Sequence, residues 1–456
     1  MAGAATLETP RNMTFYDRSI PEGASAFQPA GVTYPTRLPK PLRTQGAVSS
    51  AIERAQIQLG RRFRQFHQVW SVEGPRGVEN RLRTAAAEWL APKNAAMPVG
   101  RDDVLTADLS RSLPVVVPNV TPGQQLVINW VIVPAAARAG GYTTIFRIVR
   151  YLEEHGYVNR IYFYNVYGGD HRYYESIVRN SYDFHGPVAS LDDGMEDAHA
   201  VLATSWATAY PIFNSRCAGK RFYFVQDFEP YFYPVGAYNL LAENTYRMGF
   251  HAITAGRWLA QKLGSEFGMS ADSFEFGCDM SCYQRMPNSE RRGVVFYARP
   301  EAARRGFELG LMAIEAFAAR RPEIDIHFYG DKMGKLPFRF IDHGRVSPAE
   351  LNQIYNQCYA GLSLSLTNVS LVPHEMLAAG CIPVVNDAAH NRIVLNNPFV
   401  RYAPAYPLAL ALELDRLVTT PDFDSLSQAA AASVSSTTWD DAGAQVDGIF
   451  RKTLGA

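Results

Sequence analysis

The sequence lacks an excess of charge of either sign, because 44 lysines and arginines stand against 44 aspartates and glutamates among its 456 residues. A chain balanced in this way is not expected to bind nucleic acid through bulk electrostatic attraction. It also lacks any apolar run near the ~20 residues that a membrane-spanning helix needs, and its first residues show neither a signal-peptide core nor a transit pattern. These absences predict a cytoplasmic protein and leave peripheral membrane contact open.

Cysteine and metal-binding patterns are sparse as well. The cysteines are Cys217, Cys278, Cys282, Cys358 and Cys381. They are odd in number and form no C-x-x-C pair, so they predict neither a disulfide framework nor a zinc site, and they are typical of a reducing cytoplasm. The sole Asp-x-Asp, at residues 422–424, lies between predicted helices and is interpreted as a helix cap. No metal site is therefore predicted.

Apolar residues are abundant, at 47% of the chain, which is enough to bury large cores in two or three domains. Residues 1–45 contain six prolines and are interpreted as an extended arm. Helical patterning follows over residues 49–70 and 78–90, so residues 1–110 are predicted to form an arm and a helical N-terminal extension. Arginines in the first of these helices leave two interpretations open: a basic surface for a membrane or partner, or a helix packed on the main body.

Two longer regions alternate strand-like and helical patterns, over residues 111–285 and 286–436, and a final helix is predicted over residues 437–456. Such alternation predicts an α/β protein with doubly wound parallel sheets. In these sheets ligands bind beyond the carboxyl ends of the strands, where the loops open. The polar residues directly after predicted strands are therefore the candidate site residues.

Two strand-to-helix loops are suited to phosphate groups. In the first region, a strand over residues 126–133 leads through Gly140 and Gly141 into a helix, a layout that any tight turn also shares. In the second region, Arg299 and Arg305 flank such a loop, and each guanidinium fork can hold one phosphate of a diphosphate. A basic helix start exposed to water is the alternative, but cations at a helix N-terminus are unfavourable without an anion.

Two carboxylates, Asp227 and Glu229, follow the strand predicted over residues 221–225 and precede an aromatic run at residues 231–233. Aromatic faces stack on sugars or bases, and a carboxylate beside them can orient a hydroxyl or take its proton. Asp227 is therefore the candidate catalytic base, and Glu229 competes for this role. A helix cap is the structural alternative for Asp227.

The stretch over residues 361–387 organises the second region. The pattern predicts a strand over residues 362–366, a polar loop, a short helix that ends at Gly380, and a strand over residues 382–385. The polar residues of the loop and of the helix start are Thr367, Asn368, Ser370 and Glu375. A helix N-terminus at this sheet edge offers free N–H groups to an anion, although the helix dipole alone also explains a glutamate there.

This stretch resembles the nucleotide-sugar-binding domain of retaining GT-B glycosyltransferases. These enzymes carry a Glu, seven residues, a second Glu, a small-residue helix, a Gly and x-Pro-Val-Val. Glu375 matches the second Glu and Gly380 the Gly, while Thr367 occupies the position of the first Glu. The resemblance implies that Glu375 contacts the donor ribose. It also places the loop of Thr367, Asn368 and Ser370 near the donor sugar.

The same resemblance implies the other donor contacts. Arg299 matches the phosphate-binding Arg of the family, and Arg305 stands where the family has Lys. Gly141 falls in the Gly-rich turn that lies near the donor phosphate. Backbone groups of Gly344 and Val346 are expected to face the nucleobase.

Four motifs, at residues 227–230, 297–300, 304–310 and 365–371, look most like those of bacterial rhamnosyltransferases of cell-surface glycan assembly. The resemblance implies a GT-B fold, in which two Rossmann-like domains face a cleft and the last helix returns to the first domain. It implies metal-independent transfer of rhamnose from dTDP-L-rhamnose to a glycan or lipid-linked oligosaccharide, with retention of anomeric configuration. A nucleotide-sugar epimerase or hydrolase, and a non-catalytic nucleotide-sugar-binding module, share the architecture and stay open.

Overall fold

The computed structural model describes residues 82–83, 86, 97–110, 115–121, 123–137, 139–287, 289–436 and 438–456. The chain divides into two compact units, Met1–Lys93 and Asn94–Ala456. In the first unit, residues 82, 83 and 86 are helical, and the predicted arm and first helix, residues 1–45 and 49–70, lie outside the described residues. No helix among the described residues has the length and apolar character needed to cross a bilayer.

The first sheet of the larger unit is parallel, and its described strands number seven. They are β1 (Val127–Ile132), β2 (Val158–Phe163), β3 (Val188–Ser190), β4 (Ala200–Ala203), β5 (Lys220–Val225), β6 (His251–Ala255) and β7 (Ala271–Phe274), in the order β3-β2-β1-β4-β5-β6-β7. The helices described in this half are α1 (Arg101–Thr106), α2 (Gly140–Glu154), α3 (His171–Tyr182), α4 (Trp206–Asn214), α5 (Ala237–Thr245) and α6 (Arg257–Phe267). Burial along almost all of β5 is expected for a central strand of a parallel sheet that helices cover on both faces.

The second sheet is also parallel. Its described strands are β8 (Gly293–Ala298), β9 (Asp325–Gly330), β10 (Ile341–Asp342), β11 (Cys358–Leu362), β12 (Ile382–Asn386) and β13 (Arg401–Ala403), in the order β10-β9-β8-β11-β12-β13. The helices described here are α7 (Phe307–Arg320), α8 (Pro348–Gln357), α9 (Val372–Ala378), α10 (Ala389–Leu395), α11 (Pro407–Val418), α12 (Phe423–Ala432) and α13 (Trp439–Leu454). The strand order reverses between β8 and β11, so the loops after these two strands open a crevice at the carboxyl edge. The two doubly wound sheets predicted from the sequence are confirmed.

One predicted boundary is wrong, because the strand expected over residues 362–366 ends at Leu362. Beyond it, the Ser365 N–H donates to Asn386 Oδ1 over 2.9 Å, and Asn386 Nδ2 donates to the Ser365 carbonyl over 2.8 Å. A side chain at the end of β12 thus supplies the partners that a neighbouring strand would supply. The Ser363 N–H still donates to the Val384 carbonyl on β12 over 3.0 Å, and beyond it the segment is held by Asn386.

The last helix, α13, packs on the first sheet. The ring centre of Phe450 lies 5.1 Å from that of Phe222 on β5 and 6.3 Å from that of Tyr157. Lys452 Nζ lies 3.1 Å from an oxygen of Asp272 on β7, and the Tyr157 hydroxyl donates to Asp447. The end of the chain is thereby joined to the first domain after the second is complete.

Candidate active site

Asp227 lies where the two sheets face each other, on the loop that follows β5. Its Oδ1 accepts a hydrogen bond from Thr367 Oγ1 over 2.8 Å, and its Oδ2 is 3.9 Å from Arg304 Nε. The side chain is 18% exposed. Burial raises the pKa of Asp227, and the positive charges of Arg305 and Arg304 act against this rise. Asp227 therefore belongs to the first domain, but its partners belong to the second.

Glu229, two residues further on, is directed into the first domain. One carboxyl oxygen accepts a hydrogen bond from the backbone N–H of Trp206, at the start of α4, over 2.7 Å. The other is 3.2 Å from the donating Tyr223 hydroxyl. Burial raises the pKa of Glu229 to about 8. The two carboxylates that the sequence left as competitors therefore have different neighbours in the structure.

The arginines after β8 also have different surroundings. Arg305 donates to the Ser365 hydroxyl and lies beside Asp227. Arg299 instead forms an ion pair with Asp331, with Nε 3.2 Å from Oδ2. The sequence pattern selected Arg299 and Arg305 as the pair of cations, but in the structure Arg304 and Arg305 are the ones that face Asp227.

The turn between these arginines and α7 depends on a glycine. Gly306 adopts a left-handed conformation with φ of +56°, and a Cβ atom there would lie 3.3 Å from a methyl carbon of Leu364. Glycine takes this conformation most readily, because it has no Cβ atom. The turn brings Arg304 to the cleft, where its guanidinium lies 5.1 Å from the ring centre of Phe232.

The loop after β11 spans from the second domain to the first. Asn368 Nδ2 donates to the carbonyls of Gln226 and Ala255 over 2.7 and 3.1 Å, and the Thr367 carbonyl is 3.4 Å from the backbone nitrogen of Phe228. The Asn368 and Thr367 side chains are buried in this contact, and the donor-sugar contact that the resemblance implies for this loop stays a prediction. Ser370 is partly exposed, and its hydroxyl is 3.5 Å from that of Ser363.

Ser365 and His390 are site residues that sequence reasoning missed. The buried Ser365 hydroxyl accepts a hydrogen bond from Arg305, and the Ser365 carbonyl is 2.7 Å from His390 Nε2. His390 lies on α10, 25 residues further along the chain. A single histidine on a short helix gives no motif, so only the folded arrangement relates it to the loop.

Glu375 lies in the first turn of α9, close to the tyrosines Tyr283, Tyr329 and Tyr355. Burial raises the pKa of Glu375 to about 7, and the positive charge of Arg147 on α2 acts in the opposite direction. A carboxylate with this pKa is ionised in about half of the molecules at neutral pH. In that form it can accept hydrogen bonds from two hydroxyl groups.

The remaining predicted donor residues are backbone positions. Gly141 lies exposed at the start of α2, and its carbonyl accepts a hydrogen bond from Gln226 Nε2 over 3.2 Å. Gly344 donates its N–H to Asp342 over 3.0 Å, and its carbonyl accepts from the N–H of Gly330 over 2.8 Å. These bonds engage both polar groups of Gly344 within the domain, and its contact with the nucleobase stays a prediction. Val346 packs partly buried against the core.

Comparison with known proteins gives two sequence matches. A family model described as the C-terminal domain of WsaF matches residues 292–415. The O-antigen biosynthesis protein RfbC of Myxococcus xanthus is 33% identical over 265 residues, which are 56% of this chain. The chain spans 20% of the length of that relative.

Solved structures match over a larger part of the chain. HepE from Anabaena, in complex with UDP and glucose, has a TM-score of 0.54 at 13% identity and matches 73% of this chain and 100% of its own. The pneumococcal O-GlcNAc transferase GtfA, in complex with UDP and GlcNAc, has a TM-score of 0.56 at 9% identity, with 73% and 100% covered. The chain has the GT-B fold.

The cleft of this GT-B fold combines charges from both domains. The first contributes Asp227, and the second contributes Arg304, Arg305 and, near its tyrosines, Glu375. Across the part of the chain that the structure describes, no group of three or more His, Cys, Asp or Glu side chains is placed to hold a metal ion. Arg304 and Arg305 are the guanidinium groups that this cleft presents beside Asp227.

Proposed function

We propose that this protein is a glycosyltransferase that moves a sugar from a nucleotide-sugar donor to a glycan acceptor in cell-surface polysaccharide assembly. The observation that carries the proposal is the position of Arg304, 3.9 Å from Asp227, next to Arg305, which bonds to Ser365 on the loop after β11. A leaving diphosphate needs positive charge, and an attacking hydroxyl needs a group that takes its proton. Both requirements are met within one cleft.

On the donor side, we assign the diphosphate to Arg304 and Arg305, with Arg299 supporting the same loop through its ion pair with Asp331. Guanidinium groups supply charge that stabilises the leaving diphosphate, so we expect activity to persist in EDTA. Glu375 accepts the ribose hydroxyls. Thr367 and Asn368 position the loop, because their side chains are engaged with the first domain.

On the acceptor side, Asp227 orients the attacking hydroxyl and takes its proton. The exposed Tyr231, which follows on the same loop, offers an aromatic face to a sugar ring. A polysaccharide acceptor is supported by the name of the relative from Myxococcus xanthus, an O-antigen biosynthesis protein. The motifs that resemble rhamnosyltransferases favour dTDP-L-rhamnose as donor and retention of its anomeric configuration.

The test is to incubate the full chain with dTDP-rhamnose, UDP-glucose or UDP-GlcNAc, with and without a lipid-linked oligosaccharide acceptor. Nucleotide release that requires acceptor supports the proposal, and NMR of the product linkage then reports whether configuration is retained. Conversion of a sugar nucleotide without acceptor would instead indicate an epimerase or hydrolase. Binding without any release would indicate a sugar-nucleotide-binding module.

A further inference from the structure

Asp227 is stabilised almost entirely by groups of the opposite domain. Thr367 donates to one of its oxygens over 2.8 Å, the Arg304 Nε is 3.9 Å from the other, and Arg305 lies close by. The two guanidinium groups are those assigned above to the donor diphosphate. One carboxylate and one diphosphate are thus directed toward the same pair of cations.

We propose that Asp227 and the donor diphosphate compete for Arg304 and Arg305, so that donor binding releases Asp227 to the acceptor hydroxyl. The inference rests on the proposed function for the identity of the anion. Its physical basis is that two anions placed at the same cations repel each other, and the diphosphate carries the greater charge. The carboxylate is therefore the group that is displaced.

The Asp227–Arg304 contact is suited to exchange. At 3.9 Å it is longer than the 2.7–2.9 Å typical of a direct charge-assisted hydrogen bond. The Arg304 side chain is 38% exposed, so an incoming phosphate can reach it from solvent. The hydrogen bonds from Asn368 to Gln226 and Ala255 do not involve this ion pair. They keep the loop in place while the ion pair opens.

The exchange couples the two substrates. While Thr367 donates to one oxygen of Asp227 and Arg304 lies near the other, these groups stabilise the carboxylate charge and make it a weaker acceptor for a hydroxyl. Once the diphosphate takes the arginines, Asp227 lies next to the donor with a free oxygen. Coupling of this kind is reciprocal, so each substrate increases the affinity for the other. Because Asp227 becomes a stronger acceptor only after the diphosphate has taken the arginines, we expect the donor to bind first and the acceptor second.

The experiment measures binding of dTDP and UDP to the full chain by calorimetry, without acceptor. Asp227→Asn removes the competing charge and keeps the side-chain shape, so we expect roughly threefold to tenfold tighter binding, as for a partly exposed ion pair. In an Arg304→Ala background the same change should tighten binding by a smaller factor than in the wild type, because one of the two shared cations is gone. Asp183→Asn, at an exposed left-handed position that asparagine tolerates, is the control for net charge, and its affinity should stay at the wild-type value.

The outcomes separate this inference from the proposed function. If neither nucleotide binds to the wild type, the proposed function fails. If nucleotide binds but Asp227→Asn binds it equally or more weakly, the competition is refuted and the proposed function stands. Should Asp227→Asn lose its native melting transition, Asp227→Ser removes the same charge and carries the same expectation.

Discussion

Asp227 and Glu229 belong to one loop, yet their chemistry differs because their neighbours differ. Asp227 contacts Thr367 and Arg304 of the other domain and reaches solvent, whereas Glu229 accepts hydrogen bonds from Trp206 and Tyr223 within its own domain. A buried carboxyl group that accepts these two hydrogen bonds stabilises the start of α4. It has no open path to an acceptor sugar.

Glu229 should make protein stability depend on pH. Its pKa is about 8 in the folded protein against an ordinary 4.5, so between these values the folded state binds more protons than the unfolded state. The free energy of unfolding should therefore fall as pH rises through this window, by up to about 4 kcal/mol. Glu229→Gln should lose that slope and keep kcat near the wild-type value. Urea unfolding at pH 5 and pH 8 checks this, and an unchanged slope would assign the titration to another group.

Arg305 should govern donor affinity. A charge-assisted contact to phosphate is worth about 1.5–3 kcal/mol, so Arg305→Ala should raise the donor KM roughly tenfold to a hundredfold. Arg305→Lys, which restores the residue of the family motif, should recover part of the loss because it keeps the charge. Arg292→Ala is the matched control, since Arg292 is exposed and pairs only locally with Glu290. An Arg305→Ala enzyme with wild-type donor KM would contradict the assignment.

Glu375 should make the donor KM depend on pH near neutrality. Its pKa of about 7 means that the ribose-accepting carboxylate predominates above pH 7 and is lost as pH falls below it. The donor KM should therefore rise on acidification. Glu375→Gln should raise the donor KM by the cost of a charged hydrogen bond, about 1.5–3 kcal/mol. The donor KM of this variant should not change between pH 6 and pH 8. A large loss of kcat with unchanged KM would indicate a role in the chemical step instead.

At the scale of elements, the segment that leads from β11 to the interdomain loop is held by side chains. Its alternating leucines and serines have the period of a strand, and this explains why the sequence predicts one over residues 362–366. The structure replaces the missing strand partner by Asn386 and His390. Ser365 is thereby positioned to hold Arg305.

This segment shows how far sequence reasoning extends. Periodicity located both sheets because its signal is local in the chain. The donor assignments of Arg305 and Glu375 rest on equally local motifs and stay predictions. The bond between Thr367 and Asp227 joins residues 140 positions apart, and no local pattern encodes it. The choice of Arg304 over Arg299 likewise depends on the ion pair with Asp331, which only the fold creates.

Asn386→Ala should disturb both stability and donor binding. It leaves the buried N–H and carbonyl of Ser365 without the Asn386 side chain, which costs about 1–3 kcal/mol. The displaced Ser365 should also release Arg305, so the donor KM should rise several-fold, in the direction of the Arg305→Ala value. Asn397→Ala is the control, since Asn397 bonds to Ser433 and to the Phe399 N–H. It should lower the melting temperature and leave the donor KM unchanged; an equal rise in KM for both variants would refute the positioning role.

At the scale of the whole larger unit, two of its connections differ in what forms them. The loops after β5 and β11 meet at Asp227, Thr367 and Asn368, next to the reacting groups. On the first sheet, α13 brings the end of the chain back across β5 and β7. The first connection contains the proposed exchange, whereas the second combines apolar packing of Phe450 with the polar contacts of Asp447 and Lys452, all made with the first domain.

Phe450 should therefore control stability without controlling nucleotide recognition. It is fully buried against Phe222, and removing such a ring costs about 3–5 kcal/mol. Phe450→Ala should lower the melting temperature by several degrees, while the dTDP affinity at 20 °C stays near wild type because Arg304, Arg305 and Glu375 lie in the second domain. Lys452→Ala, which removes only the exposed ion pair of α13 with Asp272, should cost less than about 1 kcal/mol. A Phe450→Ala protein that melts normally but binds dTDP weakly would show that α13 shapes the donor site, and the division between the two connections would be wrong.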